Sequence, residues 1–260
     1  MKKVLCINHN IEGFKNKIAQ KPVYGMFSKT CDPSFVEAVG YAGYDYIILD
    51  IEHGPNSLEA LQNLIRAAQV SNIFPIVRVK ENDNNCIGEV LDIGAAGIQV
   101  PQVMSSNDVL RIMKHAKFTP KGSRGICRFV RAANYSATNR FEYFDKANST
   151  LVIAQLEGKD ALINLQSILD VAGIDIVFIG PYDLSQSMGC PGEVDHPVVE
   201  EKMLEITNEC IKRNIHVGTF VDSIDAAHKW ERVGIRYIAY SVDIGIFYDA
   251  CKSTLNLLNK

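Results

Sequence analysis

Residues 44–79 read YDYIILDIEHGPNSLEALQNLIRAAQVSNIFPIVRV. The apolar run Tyr44–Asp50 precedes an amphipathic stretch, Ser57–Gln69, and a second apolar run, Phe74–Val79, follows. Near-continuous apolar runs of this length predict strands that are covered by helices, and the amphipathic stretch between them predicts one such helix. The segment therefore predicts a unit of strand, helix and parallel strand.

The same alternation extends over the rest of the chain. Eight such units favour closure into a barrel, although a doubly wound open sheet is the structural alternative. The length of 260 residues and the 47% share of hydrophobic residues suit one large core. We predict an α/β fold, a (β/α)8 TIM barrel, as a single domain over residues 1–260. The six further strands are predicted at Tyr24–Ser28, Gly97–Val103, Leu151–Glu157, Ile174–Gly180, His216–Val221 and Arg236–Ser241, with another helix at Pro197–Arg213.

Composition excludes several classes of partner. The 27 Lys and Arg residues nearly balance 30 Asp and Glu residues, so no strong field would attract nucleic acid or an anionic membrane. No apolar run approaches the roughly 20 residues that span a bilayer, and the N-terminal MKKVLCINHN turns polar too early for a signal peptide. The seven scattered cysteines lack Cys-x-x-Cys spacing, which argues against disulfides or structural zinc. We expect a cytoplasmic protein that acts on a small molecule.

Two predicted strands carry polar residues that suit catalysis. His53 follows the strand that ends at Asp50, where a barrel places its active site, and an imidazole can exchange protons near neutral pH. Arg78 interrupts an apolar strand, where burying a guanidinium requires an anion. That anion is either a substrate carboxylate or enolate, or a structural partner such as Asp50 or Glu52, and both interpretations stay open here.

Two further strand ends supply one carboxylate each. Glu157 ends the fifth predicted strand and Asp183 follows the sixth. Magnesium or manganese commonly takes one or two protein carboxylates and completes its shell with water and substrate oxygens. The alternatives are a salt bridge of Glu157 to Lys159 and a helix-capping role for Asp183. Their joint presence favours a divalent metal site.

In this order along the chain, these motifs resemble the HpcH/HpaI aldolase family, from about Tyr24 to the C-terminal helix. The resemblance implies metal-dependent class II aldolases, usually hexamers, in which pyruvate forms an enolate that attacks an aldehyde. Each motif alone is weak, but five in sequence order are specific to the family. They are Asp50-x-Glu52-His53-Gly54-Pro55-Asn56, Val77-Arg78, Leu91-Asp92-Ile93-Gly94-Ala95, Gln155-Leu156-Glu157 and Ile179-Gly180-Pro181-Tyr182-Asp183-Leu184-Ser185.

The resemblance also implies a role for each matching residue. Glu157 and Asp183 would bind a divalent metal, Mg²⁺ or Mn²⁺ with Co²⁺ as a further candidate. His53 would be the acid/base, oriented by Asp92, and Arg78 would stabilise the pyruvate oxyanion. Two residues would support the substrate site, Gln155 beside the metal and Asp50 from the second strand.

The chain departs from the family pattern in three places. Gly158 stands where a Thr or Ser is common, and Tyr182 replaces a small residue beside Asp183. The irregular loop Thr119–Ala137 carries additional arginines, of which Arg128 and Arg131 would bind a carboxylate of the second substrate. The alternative for these arginines is a solvated or inter-subunit basic face.

The sequence is also compatible with three other functions. Diverged members of the superfamily suggest an oxaloacetate decarboxylase or a citrate-synthase-like condensing enzyme. A Schiff-base aldolase would need a lysine at a strand end, for which Lys80 is the candidate. A non-catalytic binding barrel is the third alternative, because fold does not fix function.

The C-terminal segment bears on assembly. Barrels that resemble this one commonly pair through their last helix, and Ile244–Leu258 carries apolar residues that suit a partner-facing surface or packing within its own subunit. We expect a homo-oligomer, a hexamer or a trimer.

Overall fold

The structure, a computed structural model, describes residues 10–80 and 84–260. Eight parallel strands form a closed barrel in chain order, and the last strand pairs with the first. The predicted (β/α)8 barrel is confirmed, and closure excludes the doubly wound alternative. The strands are β1 (Val23–Ser28), β2 (Tyr46–Asp50), β3 (Phe74–Arg78), β4 (Gly97–Val100), β5 (Leu151–Leu156), β6 (Ile176–Ile179), β7 (His216–Val221) and β8 (Tyr237–Val242).

Helices connect the strands and pack on the outside of the barrel. Their apolar faces and the outward side chains of the strands form one continuous core layer. The helices are α1 (Ile11–Gln20), α2 (Pro33–Tyr41), α3 (Leu58–Val70), α4 (Asn84–Asp92), α5 (Ser106–Ala116), α6 (Arg140–Ala147), α7 (Lys159–Ile163), α8 (Leu165–Leu169), α9 (Pro181–Ser187), α10 (Pro197–Lys212), α11 (Ile224–Val233) and α12 (Asp243–Leu258).

Most predicted element bounds hold to within two residues, but the fourth strand was predicted too long. It ends at Val100, because Gln102 adopts a left-handed backbone conformation with φ 52° that a strand does not accommodate. The predicted irregular loop between the fourth and fifth strands contains one short 3₁₀ helix, Arg131–Ser136. The chain therefore leaves the barrel early after β4, a feature that shapes the active site.

The barrel interior alternates glycines with large rings. Tyr46 of β2 and Tyr237 of β8 stack with ring centroids 3.8 Å apart, and both are fully buried. Gly25 of β1, the strand between them, leaves the room that the Tyr46 ring occupies. Gly218 of β7 does the same for Tyr237, whose Cδ1 would lie 2.6 Å from an added Cβ. Small residues beside large ones let the tapered interior fill without voids.

Helix α1 closes the end of the barrel at which the strands begin. Its Phe14 and Ile18 are buried in the interior cluster, and Phe14 stacks on Phe74 at 4.4 Å. This end is therefore filled with apolar side chains. The cavity for chemistry has to lie at the opposite end, where the strands finish.

Two composition-based expectations can be compared with the described residues. Of the cysteines in residues 10–80 and 84–260, all six are free thiols, while Cys6 lies outside these ranges together with the N-terminal basic pair. Within the same ranges, none of the helices combines the length and apolar composition needed to cross a bilayer.

Gly25→Ala should destabilise the protein, because the new methyl group would overlap the buried Tyr46 ring. Overpacking of this kind costs about 1–3 kcal/mol. Urea denaturation should show a lower midpoint at unchanged slope. Gly88→Ala in α4 is the matched control, since an added Cβ there meets open space and should be neutral or slightly stabilising. Equal midpoints for both variants would contradict this account of the barrel interior.

Candidate active site

A cavity of about 320 Å³ lies at the end of the barrel where the strands finish. Its apolar wall includes Phe27, Phe178 and Phe220. Its polar lining brings together six strand ends and the residues that follow them: Lys29, His53, Arg78, Gln155, Tyr182, Asp183 and Asp222. Four of these were predicted as site residues, namely His53, Arg78, Gln155 and Asp183.

Asp50 and Arg78 form a buried bidentate ion pair at the bottom of this cavity. The Arg78 Nε and Nη2 groups donate to the two Asp50 carboxylate oxygens over 2.9 and 2.7 Å, between directly paired residues of β2 and β3. Burial alone would raise the pKa of Asp50, but the hydrogen bonds and charge of Arg78 lower it overall. Arg78 also lies 3.2 Å from Glu52 and its guanidinium covers the Phe27 ring at 4.6 Å. Asp50 and Glu52, which the sequence suggested as structural partners of Arg78, therefore both pair with it. The guanidinium still lines the cavity.

The same carboxylate shapes the turn that carries His53. Asp50 Oδ1 accepts backbone hydrogen bonds from Glu52 at 3.1 Å and His53 at 3.4 Å. Gly54 completes the turn, because any Cβ there would overlap the Asp50 carbonyl oxygen. The His53 imidazole projects to the cavity rim, 60% exposed, with its Nε2 3.7 Å from Glu52. His53 therefore stands on a rigid turn with a free imidazole.

Glu157 is a buried carboxylate without a cationic partner among the described residues. Its side chain accepts hydrogen bonds from the Gln155 amide and, at 2.9 Å, from the backbone N–H of Gln102. The left-handed turn after β4 delivers this N–H. Burial raises the pKa of Glu157 to about 7, although the two hydrogen bonds act to lower it. The charges of Asp183 and Glu52 raise it further. The ionised carboxylate is thus poorly stabilised by the chain itself.

Asp183 lies in the first turn of α9, directly after β6. It is exposed at the cavity, while Glu157 is buried behind Gly180, at which any Cβ would overlap a Glu157 carboxylate oxygen. Residues 10–80 and 84–260 hold no cluster of three or more His, Cys, Asp or Glu side chains arranged for a metal. The cavity is lined by the Asp183 and Asp222 carboxylates, and Glu157 lies behind Gly180 of its wall.

Sequence reasoning missed Gln99, which lies within β4 and is fully buried. Its Nε2 donates to Gln155 Oε1 at 2.6 Å, and Gln155 in turn donates to Glu157. Like Arg78, Gln99 interrupts an apolar strand, and that interruption is the signal that could have identified it. The chain of amides fixes the orientation of Gln155.

Sequence reasoning also missed Lys29 and Asp222, which directly follow β1 and β7 and line the cavity. Lys29 Nζ lies 3.7 Å from Asp50. The predicted Schiff-base candidate Lys80 is exposed and lines a separate small pocket beside Val100 and Gln102. The strand-end rule would have identified both missed residues had it been applied to every strand.

Three predicted site residues, Asp92, Arg128 and Arg131, lie at the opposite end of the barrel, where the strands begin. Asp92 ends α4, just before β4 begins, and pairs with Arg124 instead of His53. Arg131 is buried and donates to the Ile93 carbonyl oxygen at 3.0 Å and to Gln69. Arg128 lies over the Phe129 ring at the surface. The segment that carries both arginines lies between α5 and α6, on the path back to the start of β5, so it sits at the end of the barrel where strands begin. Within one chain, these residues do not reach the cavity.

Glu157→Gln should stabilise the metal-free protein above pH 7 and flatten its pH dependence. Because the folded-state pKa of about 7 exceeds the ordinary 4.5, the folded state keeps a proton that the unfolded state releases. The free energy of unfolding should therefore fall between about pH 4.5 and 7, by roughly 3 kcal/mol, and this fall should disappear in the variant. Urea titrations in EDTA across this range measure it. Glu142→Gln, an exposed α6 residue paired with Lys146, is the control, and parallel curves for Glu157→Gln and the parent would contradict the argument.

Comparison with known proteins agrees with this architecture. The family model described as HpcH/HpaI aldolase/citrate lyase matches residues 23–250. A 2-keto-3-deoxy-L-rhamnonate aldolase of Escherichia coli is 32% identical over 246 residues, covering 93% of this chain and 91% of that protein. A hydroxypyruvate/pyruvate aldolase of Roseobacter denitrificans is 29% identical, covering 92% and 94% of the two chains.

Solved structures are similar over the same extent. An HpcH/HpaI aldolase/citrate lyase family protein from Burkholderia cenocepacia superposes with a TM-score of 0.90 at 28% identity, covering 95% of this chain and 99% of that one. The citrate synthase SbnG superposes with a TM-score of 0.86 at 29% identity, covering 94% and 96%. These matches show that the chain belongs to the HpcH/HpaI aldolase/citrate lyase family, as its motifs predicted, and that it is an enzyme of the class II aldolase type.

Proposed function

We propose that this enzyme is a divalent-metal-dependent lyase that forms or cleaves 4-hydroxy-2-oxo acids through a pyruvate enolate. The observation that carries the proposal is one cavity lined by Arg78, His53 and Asp183, with the buried Glu157 carboxylate hydrogen-bonded to Gln155 of its wall. Pyruvate, or a related 2-oxo acid, and an aldehyde are the substrates.

Glu157 and Asp183 are the residues to hold the metal, Mg²⁺ or Mn²⁺, with Co²⁺ as a further candidate. The chain fits a cation here, because Glu157 is buried, its pKa is raised to about 7 and no Lys or Arg of the described residues pairs with it. Hard divalent cations prefer carboxylate oxygens and complete their shell with water and substrate oxygens. When bound, the cation would supply Lewis acidity that makes the pyruvate methyl group easier to deprotonate.

Arg78 would stabilise the negative charge that develops on the enolate oxygen. Three of its five N–H groups are directed at Asp50 and Glu52, which leaves two for a substrate oxygen. Because the pair with Asp50 fixes the fork before substrate arrives, little reorganisation would accompany charge development. Gln155, whose amide is oriented by Gln99, would border the same substrate.

His53 would move the proton between the methyl carbon and, in the addition step, the aldehyde oxygen. The exposed imidazole on a fixed turn can reach a molecule in the cavity, and Glu52 lies near its Nε2. The orienting role predicted for Asp92 requires a second copy of the chain, since Asp92 of the same chain lies at the opposite end of the barrel. Arg128, which is exposed, could contact a substrate only in the same way.

The second candidate is a condensing or decarboxylating enzyme that uses oxaloacetate. The likeness to the citrate synthase SbnG favours keeping it. A citrate-synthase-like condensing enzyme has no need to exchange the methyl protons of pyruvate, so exchange separates it from the aldolase. A non-catalytic barrel would exchange none either. A decarboxylase forms the same pyruvate enolate and is recognised instead by the release of CO2 from oxaloacetate.

The purified protein should exchange the methyl protons of pyruvate in D2O with Mg²⁺ or Mn²⁺, and EDTA should abolish the exchange. Proton NMR measures it without knowledge of the aldehyde. His53→Ala should slow exchange by roughly 10²–10⁴-fold, the usual contribution of a general acid/base.

His228→Ala is the matched control for that variant. His228 is a similarly exposed histidine of α11, 3.5 Å from Glu231, and its loss should leave the exchange rate unchanged. Absence of exchange with every metal tested would instead favour the citrate-synthase-like condensing enzyme or the non-catalytic barrel.

We also propose that the chain forms a homo-oligomer, a hexamer or a trimer, through α12. The second half of α12, residues 251–260, is exposed along its whole length. Leu255, Leu257 and Leu258 are 58%, 66% and 78% exposed, so this segment does not pack within its own subunit. Exposed apolar helix faces of this kind mark contact surfaces.

Size-exclusion chromatography with light scattering should give the mass of a trimer or hexamer. Leu255→Glu combined with Leu258→Glu should shift it to a smaller species, because charges would be buried without partners. Ile163→Glu, at an equally exposed apolar residue of α7, should not shift it. A monomeric parent protein would rule the proposal out.

A further inference from the structure

Tyr182 and Asp222 form a hydrogen-bonded wall on one side of the active-site cavity. The Tyr182 hydroxyl donates to Asp222 Oδ2 at 2.6 Å, bridging the residues that follow β6 and β7. The Tyr182 ring meets Phe220 edge-on, with centroids 5.9 Å apart. Tyr182 directly precedes Asp183, so the wall stands next to the candidate metal site.

The wall carries a negative charge that no cation offsets. Among residues 10–80 and 84–260, no Lys, Arg or His lies within ion-pair distance of Asp222. The two cations that line the cavity, Lys29 and Arg78, are both directed at Asp50. The side of the cavity away from Arg78 is therefore electronegative.

A second cavity of about 340 Å³ adjoins the first across this wall. Tyr182 and Asp222 line both cavities. The second cavity adds the carboxylates Asp195 and Asp225, while its Lys229 is already engaged by Glu200 and lies 3.8 Å from Asp195. Arg232 is the remaining cation of its lining. A substrate that extends past the wall thus meets hydroxyl and carboxylate groups and an excess of negative charge.

We propose that the Tyr182–Asp222 pair determines the second substrate, selecting an uncharged, hydroxylated aldehyde over a carboxylated one. The inference rests on the proposed function and specifies its acceptor. A substrate hydroxyl can donate to Asp222 or to the Tyr182 hydroxyl oxygen, whose own proton goes to Asp222, whereas a carboxylate would be placed beside Asp222 without a donor to neutralise it. This replaces the anion site expected from Arg128 and Arg131, which lie at the other end of the barrel.

The experiment compares glycolaldehyde with glyoxylate as acceptors for pyruvate, because the two differ by a hydroxymethyl group against a carboxylate. The ratio of their kcat/KM values is measured for the metal-loaded parent enzyme and for Asp222→Asn. Asparagine keeps an oxygen that accepts from Tyr182, removes the charge and puts an NH2 donor in place of the other carboxylate oxygen. The parent should prefer glycolaldehyde, and Asp222→Asn should shift the ratio about tenfold toward glyoxylate, the factor that 1.4 kcal/mol supplies.

Tyr182→Phe tests the other half of the pair. It removes the hydroxyl and leaves Asp222 charged, so kcat/KM for glycolaldehyde should fall several-fold while that for glyoxylate does not rise. Asp145→Asn, in α6 at the opposite end of the barrel, is the control and should not alter the ratio.

The outcomes separate the inference from the function on which it rests. If the parent exchanges pyruvate protons but accepts glyoxylate as well as glycolaldehyde, the inference is wrong and the proposed function stands. The same holds if Asp222→Asn leaves the ratio unchanged. If the parent shows no metal-dependent exchange, the proposed function fails and the inference fails with it.

Discussion

The ion pair between Asp50 and Arg78 is the interaction on which the rest of the active-site end depends. It joins β2 to β3 at directly opposed residues, and the same carboxylate ties down the turn that carries His53. Removing either partner would leave the other with one longer ion pair, Arg78 with Glu52 at 3.2 Å or Asp50 with Lys29 at 3.7 Å, and would destabilise this end of the barrel. A single buried pair therefore fixes the strand register, aims the guanidinium and places the imidazole, so that fold and chemistry rest on the same contact.

The charges around that pair are unequal. Asp50 pairs with both Arg78 and Lys29, and Glu52 shares Arg78 with it. Among the described residues no cation lies within ion-pair distance of Glu157. The raised pKa values of Glu52 and Glu157, both caused first by burial, express this deficit. Burying carboxylates that lack a full complement of cationic partners is unfavourable. Such a site suits a bound cation that the chain does not itself provide.

The sequence predicted the barrel and most of the cavity because both follow from strand periodicity. Any polar residue at the finishing end of a parallel strand must face the same mouth, so His53 and Asp183 could be assigned without coordinates. The assignment of Asp92 came from motif position and that of Arg131 from the additional arginines of its loop, and the structure puts both where helices return to strands. Strand periodicity does not predict the contact between Tyr182 and Asp222, because it joins the first turn of α9 to the residue after β7, 40 residues apart in the chain.

The row of amides behind Glu157 has a direction that the carboxylate imposes. An ionised carboxylate only accepts, so the Gln155 amide must turn its NH2 toward Glu157 and its oxygen toward Gln99. Gln99 must then donate, which leaves its own Oε1 buried without a partner among the described residues. An unsatisfied buried acceptor costs about 1–3 kcal/mol. An apolar residue in place of Gln99 would avoid the unsatisfied acceptor, but it would also leave the Gln155 amide free to rotate. The presence of Gln99 therefore indicates that a fixed Gln155 side chain matters to the site.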